Sequence, residues 1–349
     1  MGKVHLIDDR EAAGDYGFYM PAEWEPHECC WMAWPHRPEY WLDQHEATKR
    51  AYVKVAHAIS EFEPVKMLVS PGAYQEAKSL LGDKIRLVPM AIDQAWIRDT
   101  GPNFLVDDEG GIAGSSWQFN SWGGNYRHYA NDALIGDRLL NSMGLSHFTS
   151  DIYAEGGGIS IDGCGTVLTT ESCFLNPNRN PNYSKEDIEQ ELCRTLGARK
   201  VIWLPGDPTE TETDGHVDGI AAFVRPGVVL LEMPANRDDA ERWATHEANL
   251  AALTGQTDAE GRELQIEFIV EAYDAVGEGD MYCRSYINSY LANGGVVMPS
   301  YGIESDEKAK AVYQKLYPER RIIQVPAHAI FIAGGGIHCI TQQQPAAKT

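Results

Sequence analysis

The sequence predicts an α/β protein built from about five ββαβ units set around an axis and closed into one ring. Three observations predict it. A polar or glycine-bearing corner recurs, each time opening two apolar β-rich runs joined by a tight turn. Helical stretches alternate with these hairpins. The corners also recur at similar intervals: 56 residues from Asp99 to Glu155, 61 to His216, 71 to Ile287 and 52 to Cys339. Self-similarity at such a period marks supersecondary units that share one core. A chain of 349 residues, 43% hydrophobic and 23% charged, can bury that core as a single domain over 1–349.

The elements follow in order. A turn-rich lead-in over 21–28 precedes a strand at 29–35. Ala47, Ala51, Val55, Ala58 and Ile59 fall at near-helical spacing and predict a helix over 41–61. A strand at 64–69, a helix over 72–81 closed by Gly82, and a strand at 85–89 complete the first unit. The hairpins come next: 103–106 before the turn 107–111, 159–161 with 166–170, 220–224 with 228–231, and 289–291 with 296–298. Asp162-Gly163 and Gly294-Gly295 are hairpin-turn pairs. Helices are predicted over 185–196, with Ser184 as N-cap and Gly197 as stop, over 238–253 and over 306–316. Strands at 200–205, 264–270 and 321–326 follow them. A last strand at Cys339 is expected to pair with the N-terminal segment and close the ring.

Net charge is −22, from 51 acidic and 29 basic residues. Such a field disfavours nucleic acid and anionic membrane and favours small cations. The seven cysteines are scattered, with no CxxC pair, and read as reduced thiols in a cytoplasmic protein. Residues 1–20 are mixed and polar, so no signal peptide is expected, and no apolar run approaches membrane-spanning length.

The corners carry the chemistry. If the units surround an axis, Asp99, Glu155, His216, Asp218 and Cys339 converge: three carboxylates, an imidazole and a thiol. That is the inventory of a thiol nucleophile with an acid–base group and a cation-binding pair. Each residue also has a bland reading. Asp99 could cap a turn or pair with Arg98, Glu155 could be a solvated turn residue, and Cys339, after Gly334-Gly335-Gly336, could be an inert buried thiol. Trp96 fits a pocket wall and a core indole equally well. On a strand, His216 and Asp218 would share a face. They could then join His338 or Cys339 on a metal, but no second His or Cys stands at metal-like spacing and no metal is expected.

Six stretches give a closer comparison. They are Met20-Pro21-Ala22-Glu23-Trp24-Glu25-Pro26-His27, Trp96-Ile97-Arg98-Asp99-Thr100-Gly101-Pro102, Phe119-Asn120-Ser121-Trp122-Gly123-Gly124, Glu155-Gly156-Gly157-Gly158, Asp214-Gly215-His216-Val217-Asp218-Gly219, and Gly335-Gly336-Ile337-His338-Cys339-Ile340-Thr341-Gln342-Gln343. Through them nearly the whole chain resembles the agmatine deiminases, a bacterial and plant peptidyl-arginine-deiminase-like group within the guanidine-modifying superfamily. The resemblance implies a five-bladed α/β propeller (pentein), no cofactor, and hydrolysis of agmatine to N-carbamoylputrescine and ammonia. It also implies roles. Cys339 attacks the guanidinium carbon, Asp99 and Asp218 hold the cation, His216 moves protons, and Glu155 orients His216, with Trp96 against the alkyl chain. A peptidyl-arginine or free-arginine deiminase would share this chemistry, with Arg98 or Arg127 meeting a carboxylate tail. An amidinotransferase would replace water by an amine, and a non-catalytic polyamine or guanidine binder would keep only the pocket. A homo-oligomer is left open.

Overall fold

The computed structural model describes residues 11–273 and 282–348, so the first half of the polar segment 1–20 lies outside the described residues. Five small sheets make up the ring. The first holds β1 (His27–Ala33), β2 (Val65–Val69), β3 (Arg86–Pro89) and the C-terminal strand β16 (Gln342–Pro345). The second is β4 (Asn103–Val106), β5 (Ile112–Gln118) and β6 (His147–Tyr153), and the third β7 (Ile159–Ile161), β8 (Thr166–Thr170) and β9 (Lys200–Leu204). The fourth is β10 (Ala221–Arg225), β11 (Val228–Met233) and β12 (Gln265–Val270), and the fifth β13 (Tyr290–Ala292), β14 (Gly295–Ser300) and β15 (Arg321–Pro326). In each of the last four, an antiparallel hairpin leads through a helix to a parallel third strand. A parallel partner needs such a crossover, whereas a hairpin needs only a turn. These are the five ββαβ units of an α/β propeller.

The crossover helices are α1 (His45–Ile59), α2 (Tyr74–Leu81), α3 (Ile135–Met143), α4 (Lys185–Leu196), α5 (Ala240–Leu253) and α6 (Ser305–Leu316). Helix α4 matches its expected bounds because its ends are written in the sequence. Ser184 and Asp187 form a reciprocal capping box, and Gly197 stops the helix at φ 63°. Helix α1 starts later than expected, because Leu42 and Asp43 adopt left-handed φ of 42° and 60° just before it. Helix α3 and β6 are elements the sequence reading did not place. Helix α3 has nine residues with Gly136 in its first turn, and β6 mixes inward Phe148, Ser150 and Ile152 with polar residues.

The ring closes as expected, but not through Cys339 itself. Strand β16 begins at Gln342 and pairs antiparallel with β1, Trp31 opposite Gln342 and His27 opposite Pro345. Cys339 sits ahead of it on a turn in which Thr341 N donates to His338 O at 3.1 Å. The corner at 216–218 is a single 3-10 turn, Val217–Gly219, so His216 and Asp218 do not share a strand face. A buried seam locks the first blade to the last. Glu63 accepts from Tyr290 Oη at 2.6 Å and Asn293 N at 2.8 Å, and lies 3.2 Å from His27 Nδ1.

Each inner strand starts at a corner and ends at a hairpin turn, so corners and turns lie at opposite ends of the ring. The segment around Met20 to Pro26 crosses the turn end. Tyr19 N donates to Val106 O (2.9 Å) and Met20 N to Leu196 O (2.9 Å). Arg320 Nη2 donates to Trp24 O (2.7 Å), and Ala346 N to Pro26 O (2.8 Å). Four blades are thereby tied to one floor.

Candidate active site

Four of the five corners bring the five groups together, His216 and Asp218 sharing one of them. The one-turn helix Ile97–Thr100 bears Asp99, and Arg98 N on that turn donates to Cys339 O at 3.2 Å. This ties the carboxylate and the thiol to one backbone contact. Gly156–Gly158 follow Glu155 as a 3-10 turn. A methyl group on Gly157 would lie 2.7 Å from His216 Nδ1, 2.8 Å from Asp99 Oδ1 and 3.1 Å from Asp218 Oδ2. Three functional groups therefore converge where only hydrogen fits. Asp218 Oδ2 is 3.5 Å from Cys339 Sγ, and Cys339 is 8% exposed.

His216 spans the site. Its Nε2 lies 3.3 Å from Glu155 Oε2, while Nδ1 is buried, makes no hydrogen bond among the described residues, and stands 3.8 Å from Asp99 Oδ1. A buried, unpaired ring nitrogen aimed between two carboxylates is placed to trade a proton with something bound there. Burial disfavours the imidazolium, but Asp99, Cys173 and Glu155 raise the His216 pKa well above its ordinary value. Glu155 is buried, yet Arg179, whose Nε donates to it at 2.8 Å, holds it ionised below its usual range. Glu155, Cys173 and His216 have donor atoms within 4.8 Å of one another, but Arg179 already balances the charge of the carboxylate.

The two aspartates differ. Burial, then Asp218 and Glu155, push the Asp99 pKa up against the pull of His216. Asp99 accepts from Trp122 Nε1 and Gly157 N, each at 2.9 Å, one on each oxygen. Trp122 reaches it from a left-handed backbone (φ 53°), next to Ser121 at 63°. Such strain in a bulky residue is held only where surroundings dictate it. For Asp218, burial is outweighed by His338, whose Nδ1 lies 2.8 Å away, and its pKa falls. Burial, Asp218 and Asp99 push the Cys339 thiol well above its usual range. The resting sulfur is therefore a thiol, and an arriving cation would favour the thiolate.

Trp96 is 8% exposed and its ring lies tilted 5.3 Å from that of Trp41. A side chain on Gly335 would collide with it, so Trp96 backs the glycine run that carries Cys339. Arg98 is buried and committed, Nη1 3.2 Å from Glu23 and Nε donating to His338 O at 3.4 Å. Its remaining Nη2 is buried and makes no hydrogen bond among the described residues. Arg127 is exposed.

Several residues at the site had no role in the sequence reading. Asn288 accepts from His338 N (2.9 Å) and Cys339 N (3.3 Å) and sets Nδ2 3.2 Å from the sulfur. Its signal was present, since it stands at the fourth corner. Arg179 and Cys173 had none, because they lie off the corners. Glu212 is packed against Gly334 and accepts from Tyr126 Oη at 2.5 Å, while Asn125 Nδ2 donates to Glu212 O at 2.8 Å. Three loops thus meet beside the turn of Cys339 around one half-buried acid.

A closed ring of five ββαβ blades with a Cys, a His–Glu pair and two Asp at its corners defines a thiol-bearing, guanidine-type pentein site. The chain belongs to the Porphyromonas-type peptidyl-arginine deiminase family, whose model matches residues 19–345. It is 44% identical over 340 residues to a putative agmatine deiminase of Legionella pneumophila, covering 96% of this chain and 97% of the relative. It is 40% identical over 356 residues to an agmatine deiminase of Pseudomonas aeruginosa, covering 95% and 96%. Its fold superposes on a structure of the agmatine deiminase of Enterococcus faecalis with TM-score 0.94, 34% identity and full coverage of both chains.

Proposed function

We propose that this protein hydrolyses agmatine to N-carbamoylputrescine and ammonia. The observation that carries the reading is the unpaired Nδ1 of His216, facing Asp99 beside the Asp218–Cys339 pair. The names of the relatives supply the substrate. Asp99 and Asp218 take N–H groups of the guanidinium and hold its plane and charge. The cation offsets the two carboxylates that keep Cys339 protonated, so when substrate is bound the thiol releases its proton to water and the thiolate forms, the released proton finally leaving on the ammonia as ammonium. Sγ attacks the guanidinium carbon, and His216 delivers its proton to the departing nitrogen, which leaves as ammonia. An S-alkylthiouronium remains on Cys339. His216, now neutral, takes a proton from water as the water oxygen bonds to that carbon. The C–S bond breaks, the ureido product leaves and the thiol is restored. Glu155 keeps the His216 ring oriented throughout.

Glu212 favours an amine tail over a carboxylate tail. It is an acid, raised in pKa by burial, beside the turn of Cys339. An arginine carboxylate would meet repulsion there. All seven cysteines are unpaired, and no helix of the described residues is long and apolar enough to cross a membrane. Both facts support work in the cytoplasm.

The test is incubation with agmatine and, separately, with arginine, assayed for ammonia and ureido product. Agmatine is expected to give both, and intact mass during turnover to show an adduct on Cys339. Agmatine that binds without yielding product would point to the binder instead.

A further inference from the structure

The mechanism above leaves His338 and Glu23 unused, although both stand behind the site. We propose that Glu23 and His338 are positioning residues for Asp218, forming a relay that runs from the floor of the ring to the substrate-binding carboxylate. This rests on the hydrolytic reading.

The geometry carries it. His338 lies between two carboxylates, Nδ1 2.8 Å from Asp218 Oδ2 and Nε2 2.7 Å from Glu23 Oε1. A neutral imidazole donates from one nitrogen only, so two carboxylates at these distances require the imidazolium. Asp218 Oδ2 is also the oxygen 3.5 Å from Cys339 Sγ. The relay thus ends at the point where carboxylate and nucleophile meet. Glu23 comes from the segment that closes the turn end of the ring, bonded through its neighbours to several blades. It lines, with His338, Asp218 and Ser160, a cavity of about 40 Å³ under the corners. Its side chain is 22% exposed, half-buried between the ring floor and His338.

The titratable and charged groups facing each member are few. His338 faces Asp218, Glu23 and Arg98, Glu23 faces His338, Arg98, His27, Tyr313 and Tyr317, and Asp218 faces His338, His216, Arg98, Asp99, Cys339 and Cys283. Burial opposes ionisation of Glu23, yet His338 and Arg98 pull its pKa down to about 2. Burial and Arg98 oppose the charge on His338, and Glu23 and Asp218 overcome them. Removing the Glu23 charge takes away one of these two supports. His338 would then lose its proton at lower pH, and Asp218 would lose a charged donor.

The test is Glu23→Gln. KM for agmatine is expected to rise about tenfold or more, with a smaller change in kcat, as for one weakened charge-assisted hydrogen bond. The basic limb of the kcat/KM profile is expected to move to lower pH by about one unit. A folded variant with both unchanged overturns the relay. The unaltered protein gives a second test that needs no variant. In ¹⁵N-histidine-labelled protein at pH 7, both ring nitrogens of His338 are expected in the imidazolium range, and a neutral ring overturns the relay. Failure of the unaltered protein to convert agmatine would overturn the hydrolytic reading instead, and the labelled histidine would still decide the relay.

Discussion

Asp99 and Asp218 both crowd the space beside Gly157, yet their environments pull them apart. Burial and neighbouring carboxylates raise Asp99, and His338 lowers Asp218. As pH falls, Asp99 takes up its proton first. Substrate affinity should therefore weaken on the acid side with a one-proton dependence, seen as a rising KM. Asp99→Asn is expected to raise KM about tenfold or more at neutral pH and to flatten that limb. An unchanged acid limb in the variant would assign it elsewhere. Cys339→Ser should abolish ammonia release while leaving the circular dichroism spectrum intact, and full turnover would remove Cys339 as nucleophile. With its pKa raised, the free thiol should be alkylated by iodoacetamide faster with each unit of rising pH, without levelling off below about pH 9. The five corner residues were legible because each stands at the same point of a repeating unit. Arg179 and Glu212 were not, because a loop's path decides which of many acids and bases it delivers. His338 was visible only as the neighbour of Cys339, with no hint that Glu23, 315 residues away in sequence, would meet it.

Elements position these residues through glycines and caps. Gly157→Ala would place a methyl group against His216, Asp99 and Asp218 at once. Packed sites accept extra atoms only by shifting neighbours, at about 1–3 kcal/mol. Activity should fall by at least about a hundredfold, because displaced groups lose catalytic geometry, while the melting temperature drops only modestly. Wild-type activity in this variant would mean that the three groups do not share that space. Helix α4, far from the chemistry, should respond in the opposite way. Ser184→Ala removes half of a capping box and should cost about 1 kcal/mol of stability with kcat unchanged. At this scale the sequence was most readable where a cap or glycine stop was written, as at α4 and at Gly82 after α2. It was least readable at α3 and β6, where a short helix and a polar strand leave weak periodicity. It misassigned Cys339 to a strand, because apolar neighbours at alternate positions are shared by strands and by buried turns.

At the scale of the molecule, closure links both ends of the chain to the active site. Cys339 lies just ahead of β16, β16 pairs with β1, and the seam at Glu63 joins the last blade to the first. Nothing in this arrangement separates a floor from a catalytic half, so we propose that 1–349 unfolds as a single domain. Calorimetry should show one transition, and two resolved transitions would divide the ring. The seam sharpens the test. Glu63→Ala takes the acceptor from buried Tyr290 Oη and half-buried Asn293 N, at a cost of about 2 kcal/mol or more. In a cooperative ring that loss lowers the whole transition by several degrees and takes the activity with it at the same temperature. In a loosely joined ring the first blade would melt early, while the His216–Glu155 corner kept its structure. Following histidine signals and ammonia release across the same temperature ramp separates these cases. Coincident loss is the outcome expected of a ring whose closing turn carries Cys339.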